Sequence, residues 1–421
     1  MASSLSKKWM VLCGCTVLVI IALAIALPVA LTGSHPTGAI HNHVSAKEIL
    51  RSVPLIDGHN DLPHNLRTLL SDQLSKFNFS ANLTTDPIFN CSSCFTDLPR
   101  LRAGQIGAQF WVAYADCKSQ YKDAVEQTLE QIDVIKRLIK MYPNDLQYVD
   151  SAEGIWKAFN ESKIASLIAV EGGHSIDSRL GVLRLMYELG VRYLTLTHSC
   201  NTPWAQGSPA EDEEDNVGLS EFGKVVVKEM NRLGMMVDLS HVSAATMRDA
   251  LNISVAPVIF SHSSARAICD HHRNVPDDVL EMVKKNDGIV MVNFFSEFVF
   301  CNGTERNASV YDVIEHINHI RNVAGVDHIG IGADYDGVSK MPEGLEDVSK
   351  YPMLFDLLEE REPNWTREDL RKLAGLNFIR VFKAVEKVRD DLKHLKPYED
   401  LIPVTDLGNN TGCMTNVSVT V

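Results

Sequence analysis

Eight short apolar runs, separated by stretches of helical periodicity, constrain this sequence more than any other feature. They are 53–59 (VPLIDGH), 108–114 (AQFWVAY), 164–171 (IASLIAVE), 191–198 (VRYLTLTH), 235–241 (MMVDLSH), 256–262 (APVIFSH), 288–295 (GIVMVNFF) and 328–334 (HIGIGAD). Most are nearly continuous in apolar residues, as parallel strands buried on both faces must be. Between several of them the period changes to that of a helix. Residues 123–141 carry Val125, Leu129, Ile132, Ile135 and Ile139 on one stripe, and 219–233 and 310–323 behave likewise. Thr366 with Asp369 has the spacing of a capping box opening a helix from 367 to about 388. Strands alternating with helices in this number predict an α/β fold, a (β/α)8 TIM barrel. An open doubly wound sheet is the alternative, but no glycine-rich phosphate loop follows the first run. Residues 72–100 read as an inserted loop after the first strand, and the acidic run Glu211 to Asp215 as a solvated loop. No internal repeat is detectable.

Composition narrows the class further. Of 421 residues, 45% are hydrophobic and 22% charged, which excludes wholesale disorder, collagen and coiled coil. Lys+Arg total 40 against 54 Asp+Glu, a formal charge of −14, and this acidity argues against a general nucleic-acid binder.

The first 32 residues stand apart. Lys7 and Lys8 precede an uncharged apolar run from Trp9 to about Leu31, roughly 23 residues and long enough for a bilayer core. It reads as an uncleaved signal anchor at 1–32, with a cleaved signal peptide as the alternative. The lysines would stay cytosolic and the rest of the chain would face outside, at the cell membrane, or be secreted if the segment is removed. Residues 33–47 are polar and turn-rich and read as a stalk, 48–395 as the barrel and 396–421 as a C-terminal tail. The tail has no apolar run of the kind that signals a GPI anchor. Asn78, Asn82, Asn90, Asn160, Asn252, Asn302, Asn307, Asn364, Asn409 and Asn416 each open an N-x-S/T triplet, a density that suits a glycosylated ectodomain. Of nine cysteines, Cys13 and Cys15 lie in the apolar run. The other seven lie where disulfides persist, and their odd number leaves one free or shared with another chain; Cys413, alone near the end, is the candidate. Cys91 and Cys94 have a redox- or zinc-like spacing, but the adjacent sequon and the lack of a second pair favour a local structural disulfide.

Metal-binding side chains collect at the ends of the runs: His59 and Asp61 after the first, Glu171 after the third, His198, His241 and His262 after the fourth, fifth and sixth, Asp334 after the eighth. A single histidine after a strand is more often a turn residue than a ligand. Six such ends together are another matter, because the carboxyl ends of barrel strands open on one face. His-x-Asp would put two side chains on one strand face. Histidines with carboxylates suit zinc or a similar divalent ion. Two ions sharing a carboxylate suit hydrolysis of a carbonyl compound. The residues alone predict an extracellular metal-dependent hydrolase.

The motifs LIDGHNDLP, LIAVEGGHSID, LTHSCNTPWA, VDLSHVS, IFSHSSARAICDHHRNVPDD, GIGADYDGV and PEGLEDVSKYP, spread from about Val53 to Cys413, closely resemble those of the membrane dipeptidase (renal dipeptidase) family, within the amidohydrolase-like metal-dependent barrels. The resemblance implies a zinc dipeptidase with two Zn2+ per subunit that cleaves dipeptides through a metal-bridged hydroxide. It extends to cysteinyl-glycine conjugates such as leukotriene D4 and to some β-lactams. It gives His59 and Asp61 to one zinc, His241 and His262 to the other, and Glu171 to both. His198 would contact the substrate and steady the tetrahedral intermediate, Arg273 would hold the terminal carboxylate, and Asp334 would contact the amino end and assist proton transfer. Cys117 with Cys200 and Cys269 with Cys301 would be intrachain bridges, and Cys413 would link a homodimer. His64 departs from the pattern, since many members carry tryptophan after DLP. The N-terminal anchor also departs, since familiar mammalian members use a C-terminal GPI signal. His174, His271 and His272 read as supporting or solvent-facing groups. Two other readings remain open on sequence: a non-catalytic surface receptor or adhesion protein that keeps the barrel, and a barrel hydrolase acting on another amide or a deaminase.

Overall fold

Parallel strands dominate the architecture. In the computed structural model, which describes residues 46–89, 91, 94–210, 217–302 and 306–412, they are β1 (Leu55–Asn60), β2 (Ile106–Tyr114), β3 (Leu146–Tyr148), β4 (Ile164–Glu171), β5 (Val191–Thr195), β6 (Met236–Asp238), β7 (Ile259–Phe260), β8 (Ile289–Val292) and β9 (Ile329–Ile331). Eight of them close in the order β1-β2-β4-β5-β6-β7-β8-β9, with β9 pairing back to β1. The fold is a (β/α)8 barrel. β3 is a ninth strand unforeseen from sequence. One edge of β4 carries β2 along 165–171, so β3 (against 164–166) and β5 (against 168–171) share the other. Three residues are too few to show a period.

Side-chain alternation divides the core in two. Ala108, Phe110 and Val112 of β2 and Ala165, Leu167 and Ala169 of β4 join Tyr193, Met236, Ile259 and Met291 in the barrel interior. Trp111, Ala113, Ile168 and Val170 face the surrounding helices. The same parity carries Tyr114 and Glu171, the last residues of β2 and β4, inward at the carboxyl end. Phe378, from the helix Asn377–Leu392, reaches Phe110 in the interior (ring centroids 5.4 Å apart).

Several expectations need correction. The sheet hydrogen bonding stops early, so β5, β6 and β7 end at Thr195, Asp238 and Phe260, and His198, His241 and His262 sit in the loops beyond. Asp61 is likewise outside β1; it is the N-cap residue of the helix Leu62–Leu70, so its approach to His59 is a turn effect and not strand alternation. Residues 72–100 are the largely irregular insertion expected after the first strand, and they pack inward: Leu74, Phe77, Phe79, Leu83 and Phe89 are buried in the main core. In the helix Ala124–Met141 the buried stripe runs through Ile132, Ile135, Leu138 and Ile139, leaving Leu129 at 40% exposure. The helix opened by the Thr366 capping box is interrupted by a π-turn at Lys372–Leu376 before continuing to Leu392. There Gly375 comes so close to Pro54 that an added Cβ would lie 2.2 Å from its carbonyl oxygen. A helix, Ala46–Ser52, begins just before residue 48. The apolar run at 9–31 lies outside the described residues, and among those described no helix is long and apolar enough to cross a membrane.

One buried histidine ties the fold to pH. His316, on the helix Val310–Val323, accepts from the Ala265 N–H through Nδ1 (3.0 Å) and donates from Nε2 to the Val299 carbonyl (3.1 Å). This tautomer is neutral, and burial lowers its pKa from 6.5 to about 4. Below pH 6.5 the unfolded chain takes up a proton that the folded chain refuses. The contribution is therefore full above pH 6.5 and is lost as pH falls towards 4, by at most roughly 3 kcal/mol. His316→Gln is expected to flatten the stability–pH curve between pH 6.5 and 4.5 by about one proton. Denaturant unfolding at several pH values would measure this; identical slopes would exclude it.

Candidate metal centre

At the carboxyl end of the barrel, three imidazoles converge on one carboxylate oxygen. Glu171 Oε1 lies 3.1 Å from His241 Nε2, 3.3 Å from His262 Nε2 and 3.6 Å from His59 Nε2. His59 Nε2 is also 3.1 Å from Asp61 Oδ2 and 4.0 Å from Asp334 Oδ1. Three sets of ligand atoms each fall within 4.8 Å: His59, Glu171 and His262; Glu171, His198 and His241; His59, Asp61 and Asp334. The cluster therefore extends in two directions from Glu171, towards Asp61 and towards His241.

The barrel interior fixes the imidazoles from below. The Tyr193 hydroxyl donates to the Gly58 carbonyl (2.9 Å) and accepts from His59 Nδ1 (3.0 Å), which turns Nε2 towards the cluster. The Ser261 hydroxyl donates to Asp238 Oδ2 (2.6 Å) and accepts from His262 Nδ1 (2.8 Å). Thr195 and the Ser261 N–H also donate to Asp238. Such partners set the tautomer a metal-binding histidine needs. His241 and Asp334 both take left-handed backbone (φ 68°), as does Asp336 (φ 69°). For non-glycine residues this conformation costs about 1–3 kcal/mol, and it is found where surrounding structure enforces it.

The residues fit a divalent metal. His59 Nε2, Asp61 Oδ1 and Glu171 Oε1 are buried with no well-formed hydrogen bond, a costly condition unless a cation completes them. Burial works to lower the His59 pKa, yet the Glu171 and Asp61 carboxylates outweigh it and raise it to about 10. Burial also raises Glu171 and Asp334. This pocket of carboxylates demands positive charge. Burial and the Arg273 charge hold His241 far below the usual imidazole range, and burial with the His59 charge does so for His262, so both offer lone pairs.

A cavity of about 410 Å³ opens above the cluster, lined by Asp61, Glu171, His198, His241, Arg273 and Asp334 among others. Arg273 is buried; its Nη2 reaches only the His262 carbonyl at 3.4 Å, while Nε and Nη1 have no partner. His198 stacks 4.3 Å from His241, and burial with the Arg273 charge lowers its pKa to about 3. Asp334 Oδ2 accepts from Asn293 Nδ2 (2.9 Å). Cys117–Cys200 joins the loops after β2 and β5, bringing Cys117 Sγ to 3.9 Å from His198 Nδ1. Cys269–Cys301 joins the loop after β7 to the segment after β8, and Cys91 bonds Cys94. His174 is buried and donates from Nε2 to the Ala115 carbonyl (2.8 Å), a structural role. His271 packs on Phe298 and His272 bonds Ser208. Cys413, Asn90 and Asn416 lie outside the described residues.

The sequence reading missed residues that shape this site: Tyr114, Asp336, Asn293, and the supports Tyr193, Asp238 and Ser261. The available signal was a polar group inside an apolar run, such as the aspartate of MMVDLSH.

Gly337 admits no side chain. An added Cβ would lie 2.2 Å from Asp61 Oδ2 and 2.5 Å from Asp334 Oδ1. Gly337→Ala is expected to displace both carboxylates and weaken metal binding by about 10–100-fold, with melting temperature little changed. Metal-affinity titration checks this; unchanged affinity would refute it.

A parallel barrel with buried imidazoles and carboxylates at its carboxyl face defines a metal-dependent hydrolase. The family model for membrane dipeptidase (peptidase family M19) matches residues 44–396, and the chain belongs to that family. Human dipeptidase 3 is 48% identical over 371 residues, covering 87% of this chain and 72% of that protein. Among solved structures, dipeptidase AC, a metallopeptidase of family M19, superposes with a TM-score of 0.70 at 26% identity, covering 79% of this chain and 98% of its own. A Rhodobacter sphaeroides metallopeptidase, bound to a phosphinate mimic of L-Ala-D-Ala, gives 0.70 at 24% identity, covering 79% and 99%. The chain is a dipeptidase, a metallopeptidase in which candidate metal ligands cluster at the strand ends.

Proposed function

We propose that the enzyme is a dizinc dipeptidase acting at the extracellular surface. The convergence of three imidazole nitrogens and buried carboxylates on Glu171 Oε1 carries this reading. His59 and Asp61 would hold one ion, His241 and His262 the other, and Glu171 both. When bound, the ions supply the Lewis acidity that acidifies water and polarises the scissile carbonyl. The chain's own groups do the rest. Arg273 receives the substrate carboxylate on its unpaired nitrogens. Asp334, oriented by Asn293, accepts from the ammonium end and shuttles the proton to the leaving amine. His198, held neutral, donates to the developing oxyanion. Fixed charges at both ends measure one dipeptide and exclude longer peptides. Cysteinyl-glycine conjugates such as leukotriene D4, and some β-lactams, share the required carboxylate and amide. Hydrolysis of a dipeptide but not the matching tripeptide, abolished by chelator and restored by zinc, is the expected result; chelator-insensitive cleavage would overturn the reading.

The same proposal gives residues 1–32 the role of membrane anchor or signal peptide, 33–47 that of stalk, 48–395 the catalytic barrel and 396–421 the tail. Asn78, Asn82, Asn160, Asn252, Asn302, Asn307, Asn364 and Asn409 are all solvent-exposed, which supports glycosylation. Cys413 would join two chains. Cys413→Ser is expected to abolish the reducible dimer on gels while keeping most activity; a dimer band persisting without reductant would reject this assignment.

A further inference from the structure

We infer that Asp238 is a positioning residue: it fixes the direction of the hydrogen bonds beneath His262, and so decides which imidazole nitrogen is free to take a metal. This rests on the proposed role of His262 as a ligand. Asp238, Thr195, Ser261 and His262 are all buried, none more than 1% exposed, so solvent does not intervene between them. Asp238 Oδ1 accepts from the Ser240 and Ser261 N–H groups (3.2 and 2.8 Å). Its Oδ2 accepts from the Thr195 and Ser261 hydroxyls, both at 2.6 Å. A carboxylate only accepts. The single proton of the Ser261 hydroxyl is therefore committed to Asp238, and towards His262 Nδ1 (2.8 Å) that oxygen can only accept. In the neutral ring Nδ1 then carries the proton, and Nε2, on the side of His241 and Glu171, keeps its lone pair.

Asparagine, the isostere, would reverse this chain. Backbone N–H groups cannot accept, so the amide oxygen would take the place of Oδ1 and the NH2 group that of Oδ2. The NH2 group would donate to the Thr195 and Ser261 hydroxyls, and Ser261 would turn its own proton to His262 Nδ1. Ser240 Oγ, at 3.5 Å, is the poorer acceptor for that proton. Nε2 would then hold the imidazole proton and could not bind a cation.

The test is competition titration of zinc into the chelator-stripped full-length chain, with the melting temperature of the metal-free form as a control for folding. Asp238→Asn is expected to weaken zinc binding by about 100-fold and Ser261→Ala by about 10-fold. The double variant discriminates. Without the Ser261 hydroxyl the amide has no route to Nδ1, so Asp238→Asn combined with Ser261→Ala should bind zinc about as well as Ser261→Ala alone and clearly better than Asp238→Asn. Losses that add would overturn the inference, as would unchanged affinity in Asp238→Asn. Nitrogen NMR of the histidine-labelled, metal-free wild type needs no folded variant at position 238. The His262 ring, identified by the signal lost in His262→Ala, should carry its proton on Nδ1; a proton on Nε2 would overturn the direction assigned to the chain. Zinc affinity unchanged in His262→Ala would instead overturn the ligand role beneath the inference, and the inference with it.

Discussion

Glu171→Ala is expected to lower kcat/KM for dipeptides by at least about 10³-fold, on the order of 4 kcal/mol of transition-state stabilisation, and to reduce bound zinc below two per chain. The reason is geometric. One oxygen of this carboxylate lies between 3.1 and 3.6 Å from the Nε2 atoms of His59, His241 and His262. Removing it takes away the carboxylate on which the three imidazoles converge and leaves His241 and His262 without it, while Asp61 and Asp334 remain beside His59. Glu171→Gln separates charge from shape: it fills the same volume, so a comparable loss would locate the effect in the anion. Elemental analysis alongside steady-state kinetics reads both consequences. Activity above one-tenth of wild type with full metal would contradict the shared-ligand role.

Arg273→Lys is expected to lower kcat/KM by about 10²-fold, mostly through KM, for any dipeptide with a free carboxylate. Nε and Nη1 are buried without hydrogen-bond partners, so the planar guanidinium keeps donors to spare for an anion in a fixed array that a lysine ammonium does not reproduce. Its pKa, lowered by burial to about 10, still leaves it charged at neutral pH. Dipeptide amides supply the control, since they lack the carboxylate. Wild type should handle them poorly, and the variant should do scarcely worse. An equal loss on acids and amides would mean that Arg273 acts on the fold or the metals and not on the substrate.

Strands buried on both faces announce themselves as apolar runs, which is why all eight barrel strands were legible. Their ends were not, because His198, His241 and His262 follow in loops whose course depends on backbone such as the left-handed turn at His241. The candidate cluster was legible since histidines and carboxylates punctuate apolar text. Its supports were less so. Tyr193 and Ser261 read as ordinary strand residues, and only the barrel's closure brings them beneath His59 and His262. Tyr114 shares the inward parity of Phe110 and Val112, but parity acquires meaning only once the interior is defined. The inward packing of the 72–100 loop was not legible because its buried aromatics, Phe77, Phe79 and Phe89, lack regular spacing.

The central claim is that two ions bridged by Glu171 form the reacting centre. The measurement that tests it most directly is dipeptide hydrolysis followed while zinc is returned stepwise to the chelated enzyme. Activity should rise chiefly with the second equivalent and saturate at two per chain. Saturation at a single equivalent, or hydrolysis by the metal-free chain, would contradict it.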